Sequence, residues 1–200
     1  MTLQDLIAKY SDYQVEMRRY FHQHPEESAK EFKTAERIRA ELDKLGVQWR
    51  PCGMGTGTLA RISGKQPGRT ILLRGDIDAL SVKEETGLPY ASTNPGVMHA
   101  CGHDCHISML LTAVHMIHDI QDQLKVFAFQ PAEEIGRGAQ SMIAEGALEG
   151  VDACFGMHVW SDVAAGKVAM RKGAMMASGD RFKVKVIGKS GHGAQPQRAV

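Results

Sequence analysis

Apolar residues recur at helical spacing through the first part of the chain. Leu3, Leu6, Ile7, Tyr10, Tyr13, Met17 and Phe21 predict an amphipathic helix over residues 3–23. Pro25 stops it, because the residue before a proline avoids the helical region. Phe32, Ala35, Ile38, Leu42 and Leu45 share one face of a second helix over 29–45, with Gly46 as its C-cap. The period then changes. Residues 47–49 and 58–62 read as short strands around the Gly53-Met54-Gly55-Thr56-Gly57 turn. Thr70-Ile71-Leu72-Leu73 is a continuous apolar run, as in a strand buried on both faces, and it leads into Gly75-Asp76-Ile77-Asp78. A buried helix over 107–120, a strand over 125–129, a short helix over 138–148 and a strand over 152–157 ending at His158 complete the pattern. Strands that alternate with helices pair in parallel through right-handed crossovers. The expected fold class is therefore α/β: a three-layer, mostly parallel sheet with helices on both faces.

After Gly173 the character shifts. Residues 180–187 alternate polar and apolar side chains like a half-exposed antiparallel strand, which predicts the opening strand of a second domain. The expected division is 1–177 and 178–200.

Composition narrows the function classes. Of the 200 residues 43% are hydrophobic and 24% charged, so the chain is not disordered. A formal net charge of +1 argues against nucleic acid or an anionic membrane as partner. No apolar run approaches the ~20 residues that span a bilayer. Met1-Thr2-Leu3-Gln4-Asp5 lacks the basic-then-apolar signature of a signal peptide, so a cytoplasmic protein is expected. Four cysteines (Cys52, Cys101, Cys105, Cys154) in a chain of this length do not form a disulfide framework.

The polar residues at strand ends carry the chemistry. Asp76 and Asp78 follow one strand, Glu133 and Glu134 a second, and His158 a third, while His99, Cys101 and His103 crowd the loop before the buried helix. Ligands of open parallel sheets bind beyond the carboxyl ends of the strands, so these segments should converge on one crevice. A thiol, imidazoles and carboxylates suit zinc, manganese or cobalt better than magnesium or calcium. Each element also has an ordinary reading. A single histidine after a strand is usually a hydrogen-bonded core residue, tandem glutamates usually a solvated helix start, and two aspartates a capped turn. Cys105 and His106 read as the beginning of the helix, His115 and His118 as structural, and His22 and His24 as cations at a helix end. Adjacent glutamates point in different directions, so one of Glu133 and Glu134 can ligate while the other takes a proton from an activated water. Cysteine catalysis by Cys101 with a nearby histidine is the competing chemistry, and it leaves Glu133, Glu134 and His158 unexplained.

The run from His99 to His106 resembles the HxCGHDxH motif of hippurate hydrolases and related N-acyl-amino-acid amidohydrolases. These form one branch of the aminoacylase, carboxypeptidase G and succinyl-diaminopimelate desuccinylase metallopeptidase superfamily. Arg18-Arg19 with His22-Gln23-His24-Pro25-Glu26, Leu73 to Leu80, Gln130-Pro131-Ala132-Glu133-Glu134, Gly156-Met157-His158 and Gly188 to Pro196 match in the same order. The resemblance implies that Cys101, His103, Glu134 and His158 bind two divalent metal ions, with Cys101 bridging. The metals would be manganese or zinc, with cobalt or nickel as alternatives. It implies Glu133 as general base, Asp78 as the carboxylate that orients a ligand, and Asp76 at a place where other branches keep a metal-binding histidine. It implies that His192 reaches a partner subunit's active site in a homodimer. Members of the family are about twice as long, return to the catalytic domain after an inserted α+β dimerisation domain, and take a fifth ligand from that return. Residues 178–200 are then the beginning of that insertion, and the expectation is an N-terminal fragment or a truncated gene product. Gln197 stands where many members have histidine. The implied activity is cleavage of the acyl-amide bond of small N-acyl amino acids, benzoyl- or acetyl-type, by metal-activated water. A weak or inactive metal-binding remnant is the alternative.

Overall fold

The computed structural model describes residues 1–200 apart from 65–66, 121–124, 181, 186 and 200. Two compact units divide the chain, residues 1–161 and 162–200.

The first unit is built on a five-stranded sheet of order β1-β2-β4-β3-β5. Its strands are β1 (Gln48–Pro51), β2 (Thr58–Ile62), β3 (Ile71–Asp76), β4 (Lys125–Gln130) and β5 (Ala153–Gly156). β3 pairs in parallel with β4 on one side and with β5 on the other, as the alternation of strands and helices predicts. The β1–β2 hairpin adds an antiparallel edge, with β2 also antiparallel to β4, so the sheet is mixed. Pro51 sits on the edge strand β1, where its missing N–H breaks no ladder.

Helices cover both faces. Along β4, Phe127 and Phe129 point into one core, with Met17, Phe21, Ile38, Leu42, Ile107 and Leu111. Val126 and Ala128 point into the other, with Cys52, Leu72 and Met142. The first face carries α1 (Leu3–Gln23), α2 (Phe32–Lys44) and α3 (His103–Ile120); the second carries α4 (Gly138–Ala144). This follows from connectivity. The β3-α3-β4 and β4-α4-β5 crossovers run in opposite directions across the sheet, and crossovers of one hand then place their helices on opposite faces.

Helix ends follow local chemistry. Thr2 and Asp5 form a reciprocal capping box at the start of α1. α4 stops at Ala144, short of the expected 148. Gly146 takes φ +82° there, its N–H donates to the Ile143 carbonyl and the Ala147 N–H to that of Met142, closing a Schellman turn. α3 starts at His103, ahead of Cys105 and His106, where the sequence puts its beginning, and of Ile107, where the apolar pattern starts; its first turn is buried through polar side chains rather than an apolar stripe.

In the second unit the strand expected over 180–187 is not formed among the described residues; Arg181 and Val186 lie outside them. Phe182, Val184 and Ile187 are exposed, and an alternating segment becomes a strand only where a neighbour accepts its ladder. The unit contains a short 3-10 turn (Pro196–Arg198) and a bond from the Lys189 N–H to the Ala199 carbonyl. Among the described residues no helix is long and apolar enough to cross a membrane, and the four cysteines are free.

Candidate metal centre

β3 and β4 end level, with Asp76 opposite Gln130, and β5 ends two residues earlier, with Gly156 opposite Arg74. The segments beyond them meet the first turn of α3. Gly102, between Cys101 and His103, has φ +84°, and a Cβ there would lie 2.4 Å from the Val159 side chain. Only glycine lets the chain turn so sharply while packing directly on the segment that follows β5.

His103 is at the middle of the arrangement and is wholly buried. Its Nδ1 donates to the Asp78 carbonyl oxygen at 2.8 Å, with Asp78 Oδ1 at 3.4 Å. That bond fixes the tautomer, so in the neutral ring the Nε2 lone pair is left free. Nε2 lies 3.7 Å from Glu134 Oε1, 3.6 Å from Asp76 Oδ2 and 4.0 Å from Glu133 Oε2. Cys101 Sγ is 3.4 Å from His158 Nε2. Cys101, His103 and His158 each offer a donor within 4.8 Å of the others, and so do His103, Glu133 and Glu134, two triads sharing one imidazole.

His103 Nε2 and Glu134 Oε1 are buried and meet no hydrogen-bond donor among the described residues. Two inward-facing acceptors this close repel each other unless a cation lies between them. Thiol, imidazole and carboxylate together are the donor set of a divalent transition metal, so the residues present fit such an ion.

Asp76, His103 and His106 form a third close group, but His106 is fully engaged. Its Nδ1 donates to Asp76 Oδ1, and its Nε2 accepts the Val159 N–H at 2.9 Å. Arg74 Nη1 sits 2.7 Å from Asp76 Oδ2, while Arg74 Nε donates to Gln130. Asp76 is thus tied to both His106 and Arg74. Burial pushes its pKa up, but the His106 bond and the nearby His103 and Arg74 outweigh that and bring it down to about 2. Asp78 Oδ2 accepts from the Ser28 hydroxyl at 2.6 Å and the Glu134 N–H at 3.0 Å. Burial raises its pKa, but these donors and His103 leave it below the usual carboxylate range.

Glu133 is raised, by burial first and then by the charges of Asp76 and Glu134. A carboxyl held high and 39% exposed is suited to exchanging protons with a ligand. The Cys101 thiol is pushed up to about 12, by burial and then by Glu134. That is the reverse of the depression a nucleophilic cysteine carries.

His99 is buried with neither ring nitrogen partnered among the described residues, and burial lowers its pKa to about 4. It lies outside the donor groups. His24 is exposed, with Nδ1 donating to the Tyr20 carbonyl, and His115 packs against Tyr10 and Tyr13. His22, expected as a helix-end cation, is instead buried between Asp104 (2.8 Å) and Glu84 (3.1 Å). Asp104 also holds Arg18, with Nε at 2.9 Å. His192 belongs to the second unit, is exposed, and accepts the Ala194 N–H at Nδ1. Sequence reasoning missed Glu31, Arg74, Gln130 and the partners of His22. Each is a common polar residue at an ordinary place in its element, and its bond spans a long stretch of chain.

The family model for peptidase family M20/M25/M40 matches residues 72–197. The N-acetyl-L-cysteine deacetylase of Bacillus subtilis is 48% identical over 183 residues, covering 90% of this chain and 44% of the relative. The N-acyl-L-amino acid amidohydrolase of Geobacillus stearothermophilus is 43% identical, covering 92% of this chain and 50% of the relative. The crystal structure of the Bacillus subtilis YXEP protein, described as a dinuclear metal-binding peptidase, superposes with TM-score 0.74 at 38% identity, over 78% of this chain and 45% of that one. The chain spans about half the length of the curated relatives it matches.

Proposed function

Since the chain belongs to peptidase family M20/M25/M40, we propose that it carries the metal-binding half of an amidohydrolase that cleaves the acyl-amide bond of small N-acyl amino acids. The observation that carries the reading is the buried, unpartnered His103 Nε2 facing Glu134, with Glu133 beside it and the Cys101–His158 pair completing the donors. The names of the amidohydrolase and deacetylase relatives support the substrate class. Benzoyl- or acetyl-amino acids, as in hippurate hydrolases, are the substrates to test.

Cys101, His103, Glu134 and His158 would hold two divalent ions, manganese or zinc. Bound there, the ions would lower the pKa of water and polarise the acyl carbonyl. Glu133 takes the proton from the attacking water and passes it to the departing amine, a task its raised pKa suits. Asp78 positions two groups at once, His103 through its carbonyl oxygen and Glu134 through its carboxylate. On this reading residues 178–200 begin a dimerisation domain, the enzyme is a cytoplasmic homodimer, and His192 acts across the interface on the oxyanion. Nucleic acid and membrane are not its partners. The inactive-remnant alternative has no observation in its favour.

The test is a pair of substitutions in the complete enzyme. Glu133→Gln should keep metal and lose ~10²–10⁴-fold in turnover of N-acetyl or N-benzoyl amino acids. Glu134→Gln should lose metal. Swapped phenotypes would exchange the two roles, and an enzyme indifferent to both would reject the reading.

A further inference from the structure

Glu31 is the polar residue whose placement the proposed chemistry leaves unexplained. It stands at the N-cap of α2, yet its side chain makes no capping bond to that helix. Its side chain is wholly buried instead. Oε1 accepts two backbone N–H groups, from Ala29 at 2.9 Å and from Ala132 at 2.8 Å, the second 101 residues away. Oε2 meets no donor among the described residues. A buried carboxylate with one oxygen unpartnered is a poor source of stability, so its place calls for another reason.

That reason lies in what Ala132 carries. Ala29 and Ala132 have φ of +63° and +51°, a left-handed conformation in which a Cβ crowds the following carbonyl oxygen. Such strain persists where surrounding contacts hold it. Ala132 is fully buried and immediately precedes Glu133 and Glu134. Were φ to relax to its ordinary sign, the chain direction would change at the point where both glutamates depart. The turn is gripped on both sides of Glu133. The Ala132 N–H goes to Glu31, and the Glu134 N–H goes to Asp78.

We propose that Glu31 is a positioning residue of the metal site: its buried carboxylate holds Ala132 left-handed and thereby aims Glu133 and Glu134 at His103. It is the counterpart of Asp78 on the opposite side of the turn and touches neither metal nor substrate. The inference rests on the reading of Glu134 as a ligand.

The test titrates the purified chain with zinc in competition with a chromophoric chelator, alongside thermal unfolding followed by circular dichroism. Glu31→Ala should weaken zinc binding ~10–100-fold at a temperature where the variant remains folded, the usual range for removing a group that orients ligands. Glu31→Gln should bind within ~3-fold of the parent, because the amide oxygen still accepts both N–H bonds. A Glu31→Ala protein that binds zinc like the parent and only melts earlier overturns the proposal, since that is what a purely structural residue would do. If Glu31→Ala does not fold, Glu31→Asp withdraws the carboxylate by one methylene. It should lose ~10-fold, and unchanged affinity there is equally fatal. Glu134→Gln in the same titration separates the two claims. If it binds zinc undiminished, the ligand assignment fails; if it loses zinc while Glu31→Ala does not, only the positioning role fails.

Discussion

Replacing His106 tests the architecture of the site without touching a proposed ligand. The imidazole is buried and bridges two elements, donating from Nδ1 to Asp76 at the end of β3 and accepting the Val159 N–H beyond β5. His106→Ala leaves a wholly buried carboxylate oxygen and a backbone N–H without partners. Each orphaned group costs about 1–3 kcal/mol if it stays dry, or about 2–6 kcal/mol for both. Val159 is 37% exposed, so water reaches the N–H side more readily than it reaches Asp76. The expected loss is therefore nearer ~3 kcal/mol, a large share of the ~5–15 kcal/mol that stabilises a typical domain. Urea unfolding of the metal-free chain measures it. Two partial replacements divide the effect. His106→Asn keeps a donor near the Nδ1 position for Asp76 and gives up Val159. His106→Gln keeps an acceptor near Nε2 for Val159 and gives up Asp76. His158 immediately precedes Val159, so zinc affinity should survive better in His106→Gln than in His106→Asn, whichever variant is the more stable. Losses below ~0.5 kcal/mol for all three, the range of ordinary surface changes, would mean that the bridge is not made in solution.

Other perturbations reach different parts of the argument. His22, in contact with Asp104, Glu84 and Tyr90, has its pKa raised above the ordinary 6.5, chiefly by its bond to Asp104, against its burial and the nearby charge of Arg18. A raised folded-state pKa gives stability that is complete below about 6.5 and lost as pH rises through the folded value. Urea midpoints of the parent should therefore fall across that window relative to those of His22→Gln, and parallel curves would remove His22 as the cause. If His192 acts in trans, mixing complete His192→Ala and Glu133→Gln enzymes should restore part of the activity through hybrid dimers; none regained, with subunit exchange confirmed, rejects the trans role.

What the sequence makes legible is what local physics decides. The period of α1 and the apolar run of β3 predict those elements because burial of one face, or of both, imposes the pattern. Strand order is different. That β2 lies against β4, leaving β3 flanked by β4 and β5, depends on which crossover goes which way, and no window of residues records that. The apolar pattern of α3 starts a turn late, at Ile107, for a related reason. His103, Asp104 and His106 are all buried, but through polar partners on other elements, so they break the apolar stripe that announces a helix. Glu133 and Glu134 were legible because they follow a buried strand, where polar residues need a reason, and His158 because it stands at the end of another strand of the same pattern. Glu31 was not, because an acid at a helix start is ordinary, and only its partner 101 residues away makes it otherwise. Residues 180–187 carry a strand's alternation, but alternation predicts a strand only where an edge is present to pair with.

The first turn of α3 shows why so many buried polar groups are tolerated in one place. Helical spacing puts His103 and His106 one turn apart on the same side, with ring centroids 5.4 Å apart, and turns Asp104 away toward His22 and Arg18. Three side chains thus fix the rotation of the helix about its axis: His103 on Asp78, Asp104 on His22 and Arg18, and His106 on Asp76 and Val159. An apolar stripe would bury more surface, yet it would leave that rotation free to settle by packing alone. Polar contacts fail steeply with angle, so they define the direction of His103 Nε2 more narrowly than apolar contacts do. The surrounding acids raise the pKa of His103 against the effect of its burial. A positive charge at this point is therefore favoured by the fold itself, whether a proton supplies it or a metal ion displaces that proton.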